Sequence, residues 1–209
     1  MNSKKIIVID FDGTIISSGN IWIKIYKEYC LANNLTPLEL VDELFGIISF
    51  EEWINMIIDS HNISLDYDVL LYDIYKFAIK HYCDKEPNKG FKEYINHNKQ
   101  NTIIVISKEE PMLIESYLKY YGIESIQSIL QDKNDNRSNC CFYSNIAKKY
   151  DCIVNEMVLI DDSLSHCSAA QEAGAFVIGI DDCHTFERQK QMKKTCDIYV
   201  NSFAEISNI

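Results

Sequence analysis

Asp10-Phe11-Asp12-Gly13-Thr14 closes a short apolar run, Ile6-Ile7-Val8-Ile9. Side chains alternate along an extended chain, so Asp10 and Asp12 project the same way while Phe11 points opposite. Two carboxylates held that close repel unless a cation or a shared proton relieves them. A hard divalent ion is the natural partner, since Mg²⁺ favours carboxylates together with retained water. Gly13 permits a sharp turn directly after the pair. Two other apolar runs end in the same style, Val105-Ile106 in Ser107 and Leu159-Ile160 in Asp161-Asp162-Ser163. Each ending has a local explanation as well: Ser107 could cap the next helix, and Asp161 or Asp162 could cap Leu164–Ala173. Polar residues at the ends of three separate runs favour a shared site.

Such a site needs the runs to be parallel strands, because ligands bind at the carboxyl edge of a parallel α/β sheet. Ile6–Ile9, Ile103–Ile106, Ile126–Leu130, Met157–Ile160, Phe176–Ile180 and Ile198–Val200 are strand-length and almost continuously apolar. That texture predicts strands buried on both faces. Amphipathic, helix-length segments lie between most of them, as crossover helices would. Pro111 suits the first turn of one helix, while Gly122 and Gly174 suit helix ends. Roughly Ser17 to Lys85 differs, with helix signatures and no good strand. Thr36-Pro37-Leu38-Glu39 and Ser49-Phe50-Glu51-Glu52 read as capping boxes. Apolar stripes lie at Trp22, Ile25 and Tyr29, at Phe50, Trp53, Ile54, Ile57 and Ile58, and at Leu70, Ile74 and Phe77. One crossover needs only one helix, so about four helices here predict an inserted domain. The expected division is a core of residues 1–16 and 86–209 around an all-helical insertion of residues 17–85.

The 209 residues carry 20 Lys+Arg against 31 Asp+Glu, a formal net charge of −11. That acidity argues against a general nucleic-acid binder or a protein of anionic membranes, both of which need a basic face. No apolar run approaches the ~20 residues of a membrane span, and the first run stops at Asp10, too early for a signal peptide. A cytoplasmic protein is expected. Its eight cysteines include no Cys-x-x-Cys pair, so a zinc ribbon is unsupported and most are expected to be small buried hydrophobes.

Taken in order, these motifs resemble the haloacid dehalogenase-like hydrolase superfamily, whose members are mostly Mg²⁺-dependent phosphatases. Ile9-Asp10-Phe11-Asp12-Gly13-Thr14 resembles the first family motif and Ile106-Ser107 the second. Ile160-Asp161-Asp162-Ser163, followed by Ala169-Ala170 and Ala173-Gly174, resembles the fourth. The tail Asp197-Ile198-Tyr199-Val200 with Ser202-Phe203 resembles the closing strand. The helical insertion is similar to the cap of the phosphoglycolate phosphatase and β-phosphoglucomutase branch. The resemblance implies an α/β fold: a Rossmann-like, three-layer αβα core with a parallel sheet and an inserted helical cap.

It also implies roles. Asp10 would attack phosphorus, and Asp12 would serve as acid and then base. Asp10, Asp12 through its backbone carbonyl, and Asp162, with Asp161 beside it, would hold Mg²⁺. Thr14 and Ser107 would bind phosphoryl oxygens. The family's neutralising Lys falls, by spacing, on Arg137, with Lys133 and Lys148 as neighbouring choices. His166 stands where many members carry a second acid, and reads equally as a water-holding residue or a helix-surface histidine. Trp22, Phe45, Phe50 and Trp53 could stack on a substrate, though their spacing suits cap core better, and Glu51, Glu52 and Asp59 suit solvated faces. The expected substrate is a small phosphorylated metabolite, handled by a monomer or weak homodimer. A sugar phosphomutase and a non-catalytic phospho-ligand binder are the alternatives.

Overall fold

The isoleucine-rich runs assemble into one parallel sheet. A computed structural model describes residues 6–38, 50–61, 63, 67–182 and 185–206. Its strands are β1 (Ile6–Asp10), β2 (Thr102–Ser107), β3 (Ser128–Gln131), β4 (Met157–Asp161), β5 (Phe176–Ile180) and β6 (Ile198–Val200). They lie in the order β3-β2-β1-β4-β5-β6 with every pairing parallel. The chain moves outward from β1 in one direction through β2 and β3, then crosses back to build β4, β5 and β6 on the other side. The crevice at β1 and β4 is therefore the switch point at which open α/β sheets bind ligands.

Helices α1 (Ile21–Ala32), α2 (Phe50–His61), α3 (Tyr67–Cys83) and α4 (Phe91–His97) fall between β1 and β2. Later come α5 (Pro111–Tyr120), α6 (Cys140–Lys149), α7 (Leu164–Ala173) and α8 (Phe186–Thr195). The sheet is covered on both faces because its residues are apolar on both. Ile6, Val8, Ile104, Ile106 and Leu159 pack with Tyr143 and Ile146 of α6, Cys167 and Ala170 of α7, and Met192 of α8. Ile7 and Ile9 point the other way by alternation and are equally buried. On that side Phe11 meets Tyr117 of α5 edge-on, with ring centroids 5.3 Å apart. Each buried Ile is worth roughly 1.5–3 kcal/mol relative to exposure. This is the expected Rossmann-like αβα core.

The chain divides into two compact units, Met1–Ser17 with Lys85–Ile209, and Ser18–Asp84. In the second unit α1, α2 and α3 share their own core of Ile25, Tyr26, Ile54, Ile57, Leu70 and Ile74. Trp22 is part of it, edge-on to Tyr75 at 5.9 Å and Tyr82 at 6.3 Å. Asp59 is exposed. Phe45 and the side chains of Phe50, Glu51, Glu52 and Trp53 lie outside the described residues. No helix among those described is long and apolar enough to cross a membrane.

Three local expectations change. Thr36–Leu38 is irregular, because the Leu38 N–H donates to Tyr26 Oη at 2.9 Å rather than starting a helix; Glu39 of that box and Ser49 of the next lie outside the described residues. β3 begins at Ser128 rather than Ile126. The Gln127 side chain accepts from the Ile103 N–H, while its own N–H donates to the Ile103 carbonyl, so its side chain stands in for one rung of the ladder. Among the described cysteines only Cys30, Cys167 and Cys196 are buried, and Cys141 is exposed. Cys183 lies outside the described residues.

One glycine locks the segment entering α4. Gly90 has φ +85°, and a Cβ there would lie 2.3 Å from the Ala204 nitrogen, which donates to the Lys89 carbonyl at 3.1 Å. Left-handed strain and overpacking together set the cost of Gly90→Ala at about 2–5 kcal/mol. Denaturant unfolding should show that loss, and an unchanged midpoint would refute the close approach.

Candidate active site

The register decides which strand ends meet. Ile9 of β1 is level with Ile160 of β4, and Asp10 with Ile106 of β2. Asp10 therefore emerges beside Asp161 on one side and one residue short of Ser107 on the other. After Asp10 the chain turns back at once: the Gly13 N–H donates to the Ile16 carbonyl at 2.8 Å, and the Ile15 N–H to the Phe11 carbonyl at 2.9 Å. Gly13 has φ +87°, and a Cβ on it would lie 2.6–2.7 Å from the carboxyl atoms of Asp162. Glycine thus serves the turn and also admits Asp162 against the loop. Thr14 is fully buried, with its hydroxyl 3.5 Å from Asp162 Oδ1.

Three carboxylates converge here. Asp10, Asp161 and Asp162 each place an oxygen within 4.8 Å of the others. Asp12 is half-buried in the same loop, and its carboxylate is not part of that trio. Asp10 is buried, and its Oδ2 has no hydrogen-bond partner among the described residues. Burial, and then the Asp161 carboxylate, push the Asp10 pKa well above the usual range; Arg137 pulls it down, while Asp162 and Asp12 add to the rise. An orphaned buried oxygen among hard acidic ligands fits a divalent cation such as Mg²⁺.

Arg137 is the base that reaches Asp10. Its Nη1 lies 2.5 Å from Asp10 Oδ1, and both side chains are about 5% exposed. Burial alone would lower the Arg137 pKa, but Asp10, Asp161 and Asp135 outweigh it and keep the guanidinium charged. Asp132, directly after β3, sets where Arg137 begins. Its Oδ2 accepts the Arg137 N–H at 3.1 Å, and its Oδ1 accepts from Asn136 Nδ2 at 2.7 Å. Lys133 turns instead to Glu110, 2.9 Å away, and is largely exposed. Lys148 is exposed on α6. Ser107 is buried, its Oγ accepting from the Glu109 N–H at 3.0 Å. Because α5 starts only at Pro111, Ser107 does not cap it.

His166 is no surface histidine. It is buried, with Nδ1 3.2 Å from both oxygens of Asp161 and Nε2 3.1 Å from Asp135 Oδ1. Both ring nitrogens are thus within hydrogen-bond reach of a carboxylate. Asp161 also accepts the Ser163 N–H at 2.8 Å, which fixes its carboxylate at the entrance to α7. Asp132, Asp135 and Lys108 lie outside the three motifs. Asp132 carries the same signal as Asp10 and Asp161, an acid at the end of a strand, whereas Asp135 and Lys108 carry none.

The Asp10 environment has a measurable consequence. A carboxylate whose pKa is raised on folding costs stability above its unfolded value, and the cost disappears as pH falls to where both states are protonated. In EDTA at pH 7, Asp10→Asn should therefore raise the thermal midpoint by a few degrees, with about 2–4 °C per kcal/mol expected at this chain length. The gain should shrink towards pH 4. A destabilised variant at neutral pH would show instead that the Arg137 pair outweighs burial and Asp161.

Comparison with known proteins bears on the family and the fold. A family model described as haloacid dehalogenase-like hydrolase matches residues 7–180. No curated protein matches the chain. Among solved structures, a putative β-phosphoglucomutase from Thermotoga maritima superposes with a TM-score of 0.74 at 13% identity, covering 98% of this chain and 97% of that one. A predicted phosphoglycolate phosphatase from Haemophilus somnus gives 0.69 at 18% identity, covering 99% and 97%. CbbY from Rhodobacter sphaeroides, solved in complex with phosphate, gives 0.71 at 17% identity, covering 97% and 96%. At such identities these structures speak for the fold alone. The match across most of the core, with its acids gathered at the carboxyl edge of the sheet, shows that the chain belongs to the haloacid dehalogenase-like hydrolase family.

Proposed function

We propose that this chain is a cytoplasmic, Mg²⁺-dependent phosphatase that hydrolyses a small phosphomonoester through an aspartyl-phosphate on Asp10. The observation that carries the reading is a buried carboxylate at the switch point with a guanidinium on one oxygen and, among the described residues, no hydrogen-bond partner on the other. Mg²⁺ held by Asp10, Asp162 and the Asp12 carbonyl, with Asp161 beside them, would screen the nucleophile from the phosphate dianion.

The rest of the chemistry falls to the chain's own residues. An Asp10 carboxylate oxygen attacks phosphorus, the ester P–O bond breaks, and Asp12 gives its proton to the departing alkoxide. Asp12 then takes a proton from water, whose oxygen attacks phosphorus and frees Asp10. Arg137 donates to phosphoryl oxygens, a role its contact with Asp10 supports over Lys133 and Lys148. As a fork of fixed donors it recognises phosphate by shape as well as charge, which a Lys cannot do. Ser107 and Thr14 complete the anion site from β2 and the loop after β1. Residues 17–85 are taken as a cap domain that selects among phosphoesters.

The similarity to a putative β-phosphoglucomutase favours phosphoryl transfer to a sugar as the second reading. One experiment separates the two: a panel of phosphomonoesters with Mg²⁺ or EDTA, scored by released inorganic phosphate. Turnover should need Mg²⁺ and fall about 10³-fold or more in Asp10→Asn. Arg137→Ala should lose about 10²–10³-fold, with Arg137→Lys recovering part of it. A mutase would convert sugar phosphates and keep organic phosphate constant. Folded protein that releases none and interconverts none would refute both.

A further inference from the structure

Asp135 lies in the turn after β3, and its carboxylate gathers three elements. Oδ1 is 3.1 Å from His166 Nε2 on α7 and 3.6 Å from Arg137 Nη2, while Oδ2 is 3.1 Å from Lys108 Nζ just after β2. Partial burial works against its charge, and Lys108, His166 and Arg137 together hold its pKa below the usual carboxylate range. Its backbone is left-handed, φ +52°, a conformation Asp and Asn tolerate better than other residues with a Cβ. The contacts trace a ring: Asp10 to Arg137, Arg137 to Asp135, Asp135 to His166, His166 to Asp161, and Asp161 back to within 4.8 Å of Asp10. Asp135 closes that ring on the side opposite the nucleophile.

Arg137 is long, and a free guanidinium would either stay on Asp10 or swing out to solvent. Asp132 accepts its backbone N–H at 3.1 Å and stands 3.7 Å from Nε, at the near end of the guanidinium. Nothing but a contact at the far end of the side chain can hold Nη2 while Nη1 exchanges Asp10 Oδ1 for an incoming phosphoryl oxygen. We propose that Asp135 is the positioning residue of this site, anchoring Arg137 through Nη2 and braced by His166 and Lys108. Its effect on turnover rests on the phosphatase reading above; its grip on Arg137 does not.

The chain has two arginines, Arg137 and Arg188, and Arg188 is exposed on α8, so guanidinium NMR reports the anchor directly. In the unsubstituted protein Arg137 should give separate Nη1 and Nη2 signals, and Arg188 one averaged signal. Asp135→Asn and Asp135→Gly both suit a left-handed backbone, so the turn should survive in either. Both should shift the Arg137 Nη2 signal and speed its exchange with Nη1, and leave Arg188 unchanged. An Arg137 Nη2 signal unmoved in both shift and exchange rate in either folded variant, or averaged Arg137 signals in the unsubstituted protein, would overturn the proposal. With p-nitrophenyl phosphate as probe, Asp135→Asn should lower kcat/KM about 10–100-fold. The same substitution should cost almost nothing further in an Arg137→Ala background, since Asp135 acts through Arg137. Losses that multiply would assign Asp135 another role and sink the idea. If the unsubstituted protein releases no phosphate, the phosphatase reading fails and the guanidinium spectra alone decide Asp135.

Discussion

The buried pair of Asp10 and Arg137 is the contact on which the rest of the site depends. Both side chains are almost wholly out of water, so each charge has lost its hydration and must recover it from the other. The pair is not self-sufficient. Asp10 keeps one oxygen with no hydrogen-bond partner among the described residues, and Asp161 and Asp162 crowd it with charge of the same sign. The result is an imbalance kept in place by a rigid sheet: too many carboxylates for one guanidinium.

Strand order and register create that imbalance. Because β1 lies between β2 and β4, its end is flanked by theirs, and parallel pairing brings all three ends to one edge. Gly13 allows the chain to leave β1 steeply while the Asp162 carboxyl sits against its backbone, where any Cβ would collide. A flexible loop could not hold like charges together. The strands can, since Ile6 to Ile9 are buried on both faces and the cost of moving them is the loss of the core.

The second tier of charge follows the same logic. Asp132 organises the turn that carries Arg137, and Asp135 ties that turn to α7 and to the segment after β2. His166 between Asp161 and Asp135 links two carboxylates that would otherwise face each other unmediated. Tyr143 of α6 donates to the His166 carbonyl at 3.2 Å and steadies the first turn of α7 from the core side. Packing and electrostatics are thus one system here.

Much of this was legible in the chain itself. Apolar runs of strand length, ended by Asp10, Ser107 and Asp161, are local facts, and a parallel sheet brings such ends to one edge whatever the details of its loops. The helical insertion was legible for the same reason, as a change of period over a long stretch. Which base meets Asp10 was not. Arg137 and Lys133 are four residues apart, and the choice depends on how a short turn is folded by Asp132, whose carboxylate pulls the Arg137 backbone inward while Lys133 faces Glu110. Nor could the burial of His166 be read, because its two partners come from the end of β4 and the turn after β3. Spacing along the chain determined which residues reach the edge of the sheet; only the tertiary structure decided which charges touch, since that is set by distances between segments remote in sequence.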